Sequence, residues 1–221
     1  FDGTIQANMH MRTFGVETPL NLIYSSGGTA FNVTLPSFGF AGISPTYRDY
    51  TLHLGDRSVT LGKYSFSNHS FRGVGGEVNK ERWDTRMFYG RLQRAQASDF
   101  NGFQNIDPLF RRLGYGVLIG GLSNRDAKVE VSLFKAWDDP SSLGVISDTS
   151  LVQTPSENLI LSTLIEQNLL KRIKVSLNFS NSGYTGDRTL LKSEADANKR
   201  SLLGILETNG STRWKNALET R

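Results

Sequence analysis

The chain contains no cysteine. That absence removes a disulfide framework, a thiolate metal site and a cysteine nucleophile together, and it suits passage through an oxidising compartment. Proline is sparse, at 6 of 221 residues. No apolar run approaches the about 18 residues that a membrane-spanning helix needs, so a spanning helix is excluded. A β-barrel is not, because alternating strands leave an ordinary hydropathy average. The formal charge is +4 and the pI about 9.4, yet lysine and arginine are spread along the chain with no basic block and no signature of a nucleic-acid reader. No nucleic-acid partner is therefore expected, and the charge reads as solvated surface or pore lining.

What is present is β-forming. Only 38% of the chain is apolar, but it carries 22 glycines, 13 phenylalanines and 7 tyrosines. The first clear period is two: in TIQANMHMR, Ile5, Ala7, Met9 and Met11 share one face while Gln6, Asn8, His10 and Arg12 share the other. After a turn containing Pro19, LNLIYSS and FNVTL repeat the alternation, and Pro36 closes the second run. GISPTYR and YTLHLGDR predict a further hairpin with a tight turn at Arg48-Asp49. GYGVLIGGL and KVEVSLFKAW flank Ser123 to Ala127, and ILSTLIEQ and IKVSLNFS flank Asn168 to Arg172. Each arm matches the about 9–11 residues of a tilted membrane strand.

Between these hairpins runs a long polar segment, DDPSSLGVISDTSLVQTPSEN, and GDRTLLKSEADANKR follows the second. Short turns at one end and long loops at the other are the asymmetry of an outer-membrane barrel. LLKSEADANKRSLLGILE also permits a helical period through Leu191, Ala195 and Leu202 and is placed in a loop excursion.

Sharper readings lose to plainer ones. GVGGE lacks the third glycine of a dinucleotide fingerprint, Val78 standing there, and no helix follows. Glycines 73, 75 and 76 instead predict close backbone approach, a bulge or a crowded inner wall. His10, His53 and His69, with Asp56 or Glu77, lack any close metal-ligand spacing. Ser67, His69 and Asp56 form a triad only on paper, with no nucleophile elbow. Asp99, Asn101, Asn105 and Asp107 could supply calcium oxygens but do not follow an EF-hand pattern. No catalytic residue, metal or cofactor is expected. The aromatics Tyr24, Phe31, Tyr47, Tyr50, Phe71, Trp83, Tyr89, Tyr115 and Trp137 fall near predicted strand ends, where interface girdles sit.

GISPTYRDYTLHLGDRSVTLGKYSFSNHSFRGVGGE followed by MFYGRLQRA resembles a family of large outer-membrane β-barrel proteins of Bacteroidetes type, and the likeness continues through RRLGYGVLIGG, VSLFKAWDD, SENLILSTL and STRWKNA. Asp56 and Gly62 depart from the family's pattern, which affects loop detail. The resemblance implies location and architecture and carries over no catalytic residue. It also implies an internal or N-terminal fragment, a single barrel region over 1–221 left incomplete at its C-terminal end.

The expectation is therefore an all-β chain, a partial antiparallel transmembrane β-barrel of about ten to twelve meandering strands. It would lie in the outer membrane of a Gram-negative cell as a channel, transport or surface-anchoring protein without catalysis. Its partners would be outer-membrane lipid and other outer-membrane or secretion components. Ile5, Met9, Leu52, Leu54, Val129, Val131, Leu133, Val175, Leu177 and Phe179 would face lipid. Gln6, Asn8, His10, Arg12, Glu130, Ser132, Lys174, Ser176 and Asn178 would face the lumen. Lys135, on the apolar face of its strand, would snorkel at the interface. The alternative is a secreted β-sandwich binding glycan or protein, its apolar faces covered by a second sheet.

Overall fold

The computed structural model describes residues 3–26, 28–30, 33–35, 38–67, 69–96, 108–124, 127–143, 154–169, 173–188, 206 and 208–220. The strands are β1 (Thr4–Thr13), β2 (Val16–Ser25), β3 (Gly28–Ala30), β4 (Val33–Leu35), β5 (Phe38–Ile43), β6 (Thr46–Tyr47) and β7 (Tyr50–Ser58). After them come β8 (Ser70–Asn79), β9 (Trp83–Gln93), β10 (Arg111–Asn124), β11 (Ala127–Asp139), β12 (Glu157–Leu169), β13 (Ile173–Thr185) and β14 (Thr212–Thr220). Twelve of them form one antiparallel sheet in the order β1-β2-β5-β7-β8-β9-β10-β11-β12-β13-β14, with β6 bridging β2 and β7. The described residues include no α-helix, only a short 3-10 turn at Pro140–Leu143.

The sheet is a meander, and its connections separate by length. Phe14–Gly15, Arg48–Asp49, Lys80–Arg82, 125–126 and 170–172 link strands at one end; 26–37, 59–69, 94–110, 140–156 and 186–211 link them at the other. The tight turns take left-handed backbone where two-residue hairpins require it, with φ of 50° at Phe14, 80° at Gly15 and 52° at Arg48.

Two expectations change. Of the FNVTL run, the described residues Val33–Leu35 form β4, which among the described residues pairs with β3 and not with the main sheet, and FGFAGI takes the place beside β2. Its glycines hid it, since glycine weakens a strand signal. The GVGGE stretch holds no bulge, because β8 keeps an unbroken register with β7 and with β9. Phe71 and Val74 then obey simple alternation, one inward and one outward.

Of the alternatives read for the glycines, close backbone approach is the one found, and Gly73 belongs to a row. Gly42, Gly55, Gly73, Gly90 and Gly114 face one another across five adjacent strands. A Cβ on Gly73 would lie 2.1 Å from the Tyr89 carbonyl oxygen, and one on Gly90 would lie 2.7 Å from that of Arg72. The neighbouring backbones leave no room for a side chain, as at a tight bend of a curled sheet. Gly55 has a φ of 85° as well, and its Cβ would stand 2.3 Å from the Ala41 oxygen. Gly55→Ala is expected to cost at least about 1–2 kcal/mol from the backbone alone. Gly76→Ala should be close to neutral, because its Cβ would meet only the Thr51 oxygen at 3.6 Å. Denaturant unfolding of the two variants side by side checks this, and equal midpoints would remove the bend from the argument.

The two faces of the sheet are differently occupied. Ile5, Met9, Leu52, Leu54, Val129, Val131, Val175, Leu177 and Phe179 are all exposed, each on the face opposite its polar neighbours. The other face is concave and holds the buried core of Phe71, Phe88, Leu118, Phe134 and Ala136. Among the described residues no second sheet covers the exposed apolar face.

Candidate functional site

The concave face is the part of the molecule where side chains converge. The connection 59–69 turns in over it and brings Val59, Leu61 and Phe66 into the core. The turn is closed by the Leu61 N–H donating to the Phe66 carbonyl at 2.8 Å. Phe66 lies 4.5 Å from Phe88 and 5.1 Å from Phe134, centroid to centroid, and Phe71 stacks on Phe88 at 4.7 Å. Leu61 fits because Gly116 has no side chain; a Cβ there would come within 2.1 Å of Leu61 Cδ1. The loop carries two aromatics of its own, Tyr64 and Phe66. Its inward fold depends on partners far along the chain.

Those partners also show how strongly the sheet curls. Lys63 Nζ donates to both Glu219 carboxylate oxygens at 2.9 and 2.8 Å, and the Tyr64 hydroxyl donates to the same group at 2.7 Å. From β7 to β14 is seven strand spacings in the sheet order, about 33 Å if flat. The stretch from Ser58 to Lys63 reaches at most about 18 Å, and two side chains do not bridge the difference. Only a curled sheet brings β14 within reach.

This tether has a pH signature. Its hydrogen bonds to Glu219 are the first cause that holds the Lys63 ammonium above its ordinary value of 10.5. A raised folded value means the contribution is fully present below about 10.5 and is lost as pH rises through the higher value. The pair is half exposed, so its effect is on loop order more than on global stability. A nitroxide on Ser67→Cys, a unique attachment point in a cysteine-free chain, should stay immobile at neutral pH and loosen in strong alkali. Mobility unchanged by pH would show that the aromatic core alone holds the loop.

Beside the loop is a cavity of about 490 Å³ toward the long-connection end, with His69, Gln93, Arg112, Asn158 and Tyr184 among its lining residues. Arg112 donates to Asp138 at 2.8 and 3.0 Å and to Ser156 at 2.9 Å. Farther along, the wall is hydroxyl-rich: Ser162 and Ser180 are 2.7 Å apart, and Ser182 donates to Asn158 at 3.1 Å.

On this face Ser44 Oγ lies 2.8 Å from His53 Nδ1, and His53 Nε2 lies 3.2 Å from Glu77. Sequence spacing could not reveal that trio, because sheet register brings His53 of β7 and Glu77 of β8 together with Ser44 in the link between β5 and β6. Ser44 and His53 are 8% and 9% exposed, so the group reads as satisfied interior polarity rather than as a nucleophile open to substrate. The paper triad does not assemble. Asp56 points outward, binding Arg72 at 2.8 Å and accepting from the Ala41 N–H at 2.9 Å, while the His69 ring lies tilted 5.8 Å from that of Phe66 on the concave side. Among the described residues no three histidine, aspartate or glutamate side chains cluster as a metal site. The calcium-like run Asp99 to Asp107, the helix-permitting run but for Leu206, and Phe31 lie outside the described residues.

The residues assigned to the lumen fall on the concave side in different settings. Gln6, Asn8, His10 and Arg12 line the open edge strand β1 and are exposed, Arg12 pairing with Glu17 at 3.6 Å. Ser132 is buried and donates to Ser65 of the inward loop at 3.2 Å. Glu130 pairs with Lys128, and Lys174 with Glu166 at 2.9 Å; Ser176 and Asn178 are half-buried. Of the lipid-facing set, Leu133 is half-buried and the rest exposed.

The aromatics divide. Tyr24, Tyr47, Tyr50, Trp83 and Tyr89 are exposed, whereas Phe71 is 1% exposed and belongs to the core, since its position in β8 puts it inward. Lys135 does not snorkel. It is paired at 3.5 Å with Glu157 on β12, two residues along from Leu159, its direct partner, and lies over the Trp137 ring. A carboxylate on the next strand satisfies the amine locally. Comparison with protein-family models, with curated proteins and with solved structures found no match to this chain.

Proposed function

We propose that the chain is part of an outer-membrane β-barrel with a channel, transport or surface-anchoring role, its apolar face against lipid and its concave face forming a lumen restricted by residues 59–69. The observation that carries this reading is an exposed apolar face, running from β1 to β13 and covered by no second sheet among the described residues, on a sheet whose other face holds the core. A water-soluble monomer rarely leaves so extensive an apolar surface bare. In hydrocarbon it needs no cover, provided the backbone is satisfied by a closed ladder.

The register adds support. His53 lies in the middle of the apolar stretch of β7, and its partners across the sheet are Gly75, Phe88, Gly116, Phe134, Ile160 and Ser182. The apolar stretch of β13 centres on Leu177, five residues from Ser182 and toward the short-turn end. A drift of nearly one residue per strand is how a level band reads on strands inclined by roughly 30° to the barrel axis, near the usual tilt. The length asymmetry of the connections agrees, with short turns toward the periplasm and long connections outside.

The test is membrane fractionation of the native protein with an alkaline wash, followed by electrophoresis of boiled and unboiled samples. Outer-membrane retention with a heat-dependent mobility shift is the expected result. Release into the soluble fraction would overturn the reading in favour of a secreted sandwich.

A further inference from the structure

The outward face carries a feature that a lipid-facing wall does not need. Toward the long-connection end, the row in register with Asp56 continues as Arg72, Arg91 and Leu113. Two arginines thus stand directly opposite each other on adjacent strands, an arrangement that is unfavourable unless something anionic lies between or beside them. Arg94 and Arg111 are near enough to act on Arg91 as well.

Carboxylates match only half of this charge. Arg72 is held by Asp56 at 2.8 Å, and Arg111 donates to Asp139 at 3.2 Å. Arg91 and Arg94 have no hydrogen bond or ion pair among the described residues. Arg72, Arg91 and Arg111 line a shallow cleft of about 370 Å³ together with Leu113, level with them, and Val74 and Tyr89, two residues nearer the short-turn end. The cleft is cationic at its upper edge and apolar below. Val74 and Tyr89 belong to the exposed band, being 45% and 52% exposed.

On the membrane reading above, on which this inference rests, the long-connection end meets the outer leaflet. We propose that Arg72, Arg91, Arg94 and Arg111 bind a phosphate group on the headgroup of an outer-leaflet lipid, with its acyl chains lying down over Tyr89 and Val74. Arginine's planar fork is suited to phosphate oxygens, and the two unmatched arginines can supply charge-assisted hydrogen bonds to one group. A soluble phosphate would use the same upper edge but gain nothing from the apolar floor.

The experiment uses the full chain in detergent, titrated with monophosphorylated lipid A, with the same lipid lacking its phosphate, and with inorganic phosphate, bound lipid being counted by native mass spectrometry. Preferential retention of the phosphorylated lipid is expected. Arg91→Gln with Arg94→Gln should weaken it about tenfold or more, the loss of one or two charge-assisted bonds. Arg82→Gln, at the opposite end of the sheet, should have no effect. Among the described residues neither Arg91 nor Arg94 holds an ion pair, so the double variant should fold, which far-UV circular dichroism checks. Equal retention of both lipids, or binding unchanged in the double variant, would overturn the proposal. Equal competition by inorganic phosphate would overturn the lipid assignment. A protein that fails membrane retention in the first place would instead overturn the barrel reading.

Discussion

Val131→Lys is expected to destabilise the membrane-embedded protein by about 2–4 kcal/mol, the depth-dependent cost of placing a lysine on the lipid face of a barrel near mid-membrane. Val131 is 44% exposed on the outward face and pairs with Ile119, itself 61% exposed. In water a charge at so open a site would change stability by no more than about 0.5 kcal/mol. The substitution therefore separates two solvents more sharply than two folds. Ser176→Lys is the matched control, on the concave face of β13 beside the existing Lys174–Glu166 pair. Urea unfolding in lipid vesicles should show a large shift for the first and little for the second. Equal small shifts would mean that the outward face meets water, and the membrane reading would fail.

The second large effect lies inside. Phe66→Ala is expected to cost about 3–5 kcal/mol, the range for truncating a buried aromatic that the surroundings cannot collapse around. Phe66 is 3% exposed and contacts both Phe88 and Phe134, which belong to rigid central strands. Without it the loop retains the exposed Lys63 pair with Glu219 and the part-buried Tyr64–Glu219 and Ser65–Ser132 hydrogen bonds, each contributing on the order of 1 kcal/mol or less. The consequence should be local release more than loss of the sheet. Proteolytic cleavage within 59–69 should accelerate while strand content stays constant, and in bilayers the variant should pass small solutes faster. Destabilisation without faster cleavage would show that 59–69 stays docked and does not restrict the lumen.

Much of the architecture was open to reading along the chain because its cause is local. A period of two over Thr4–Thr13 or Ile173–Thr185 divides polar from apolar whatever the strand later touches, and the alternation of short and long polar connections already fixes which ends lie together. The hairpins around 123–127 and 168–172, and the turn at Arg48-Asp49, appear where they were expected for that reason. Local propensity misled where strands are made by company. FGFAGI reads poorly as a strand but is held between β2 and β7, while FNVTL reads well and supplies only the short β4 of a two-stranded hairpin.

The site was legible only in part. The residues placed on the lumen side share one face, but nothing local distinguishes Ser132, buried beneath a loop, from Asn8, open on an edge strand. The assembly of Ser44, His53 and Glu77, the outward pairing of Arg72 with Arg91, and the Lys63–Glu219 bond across 156 positions depend on register and curvature. The sequence by itself determined that the chain alternates, that it has one apolar face, and where its strands turn, because side-chain direction in a strand follows from the backbone alone. Only the tertiary structure decided which apolar residues are core and which face outward. That choice is made by the direction in which the sheet curls, and the curl is set by a row of glycines and a folded-in loop whose contacts lie far apart along the chain.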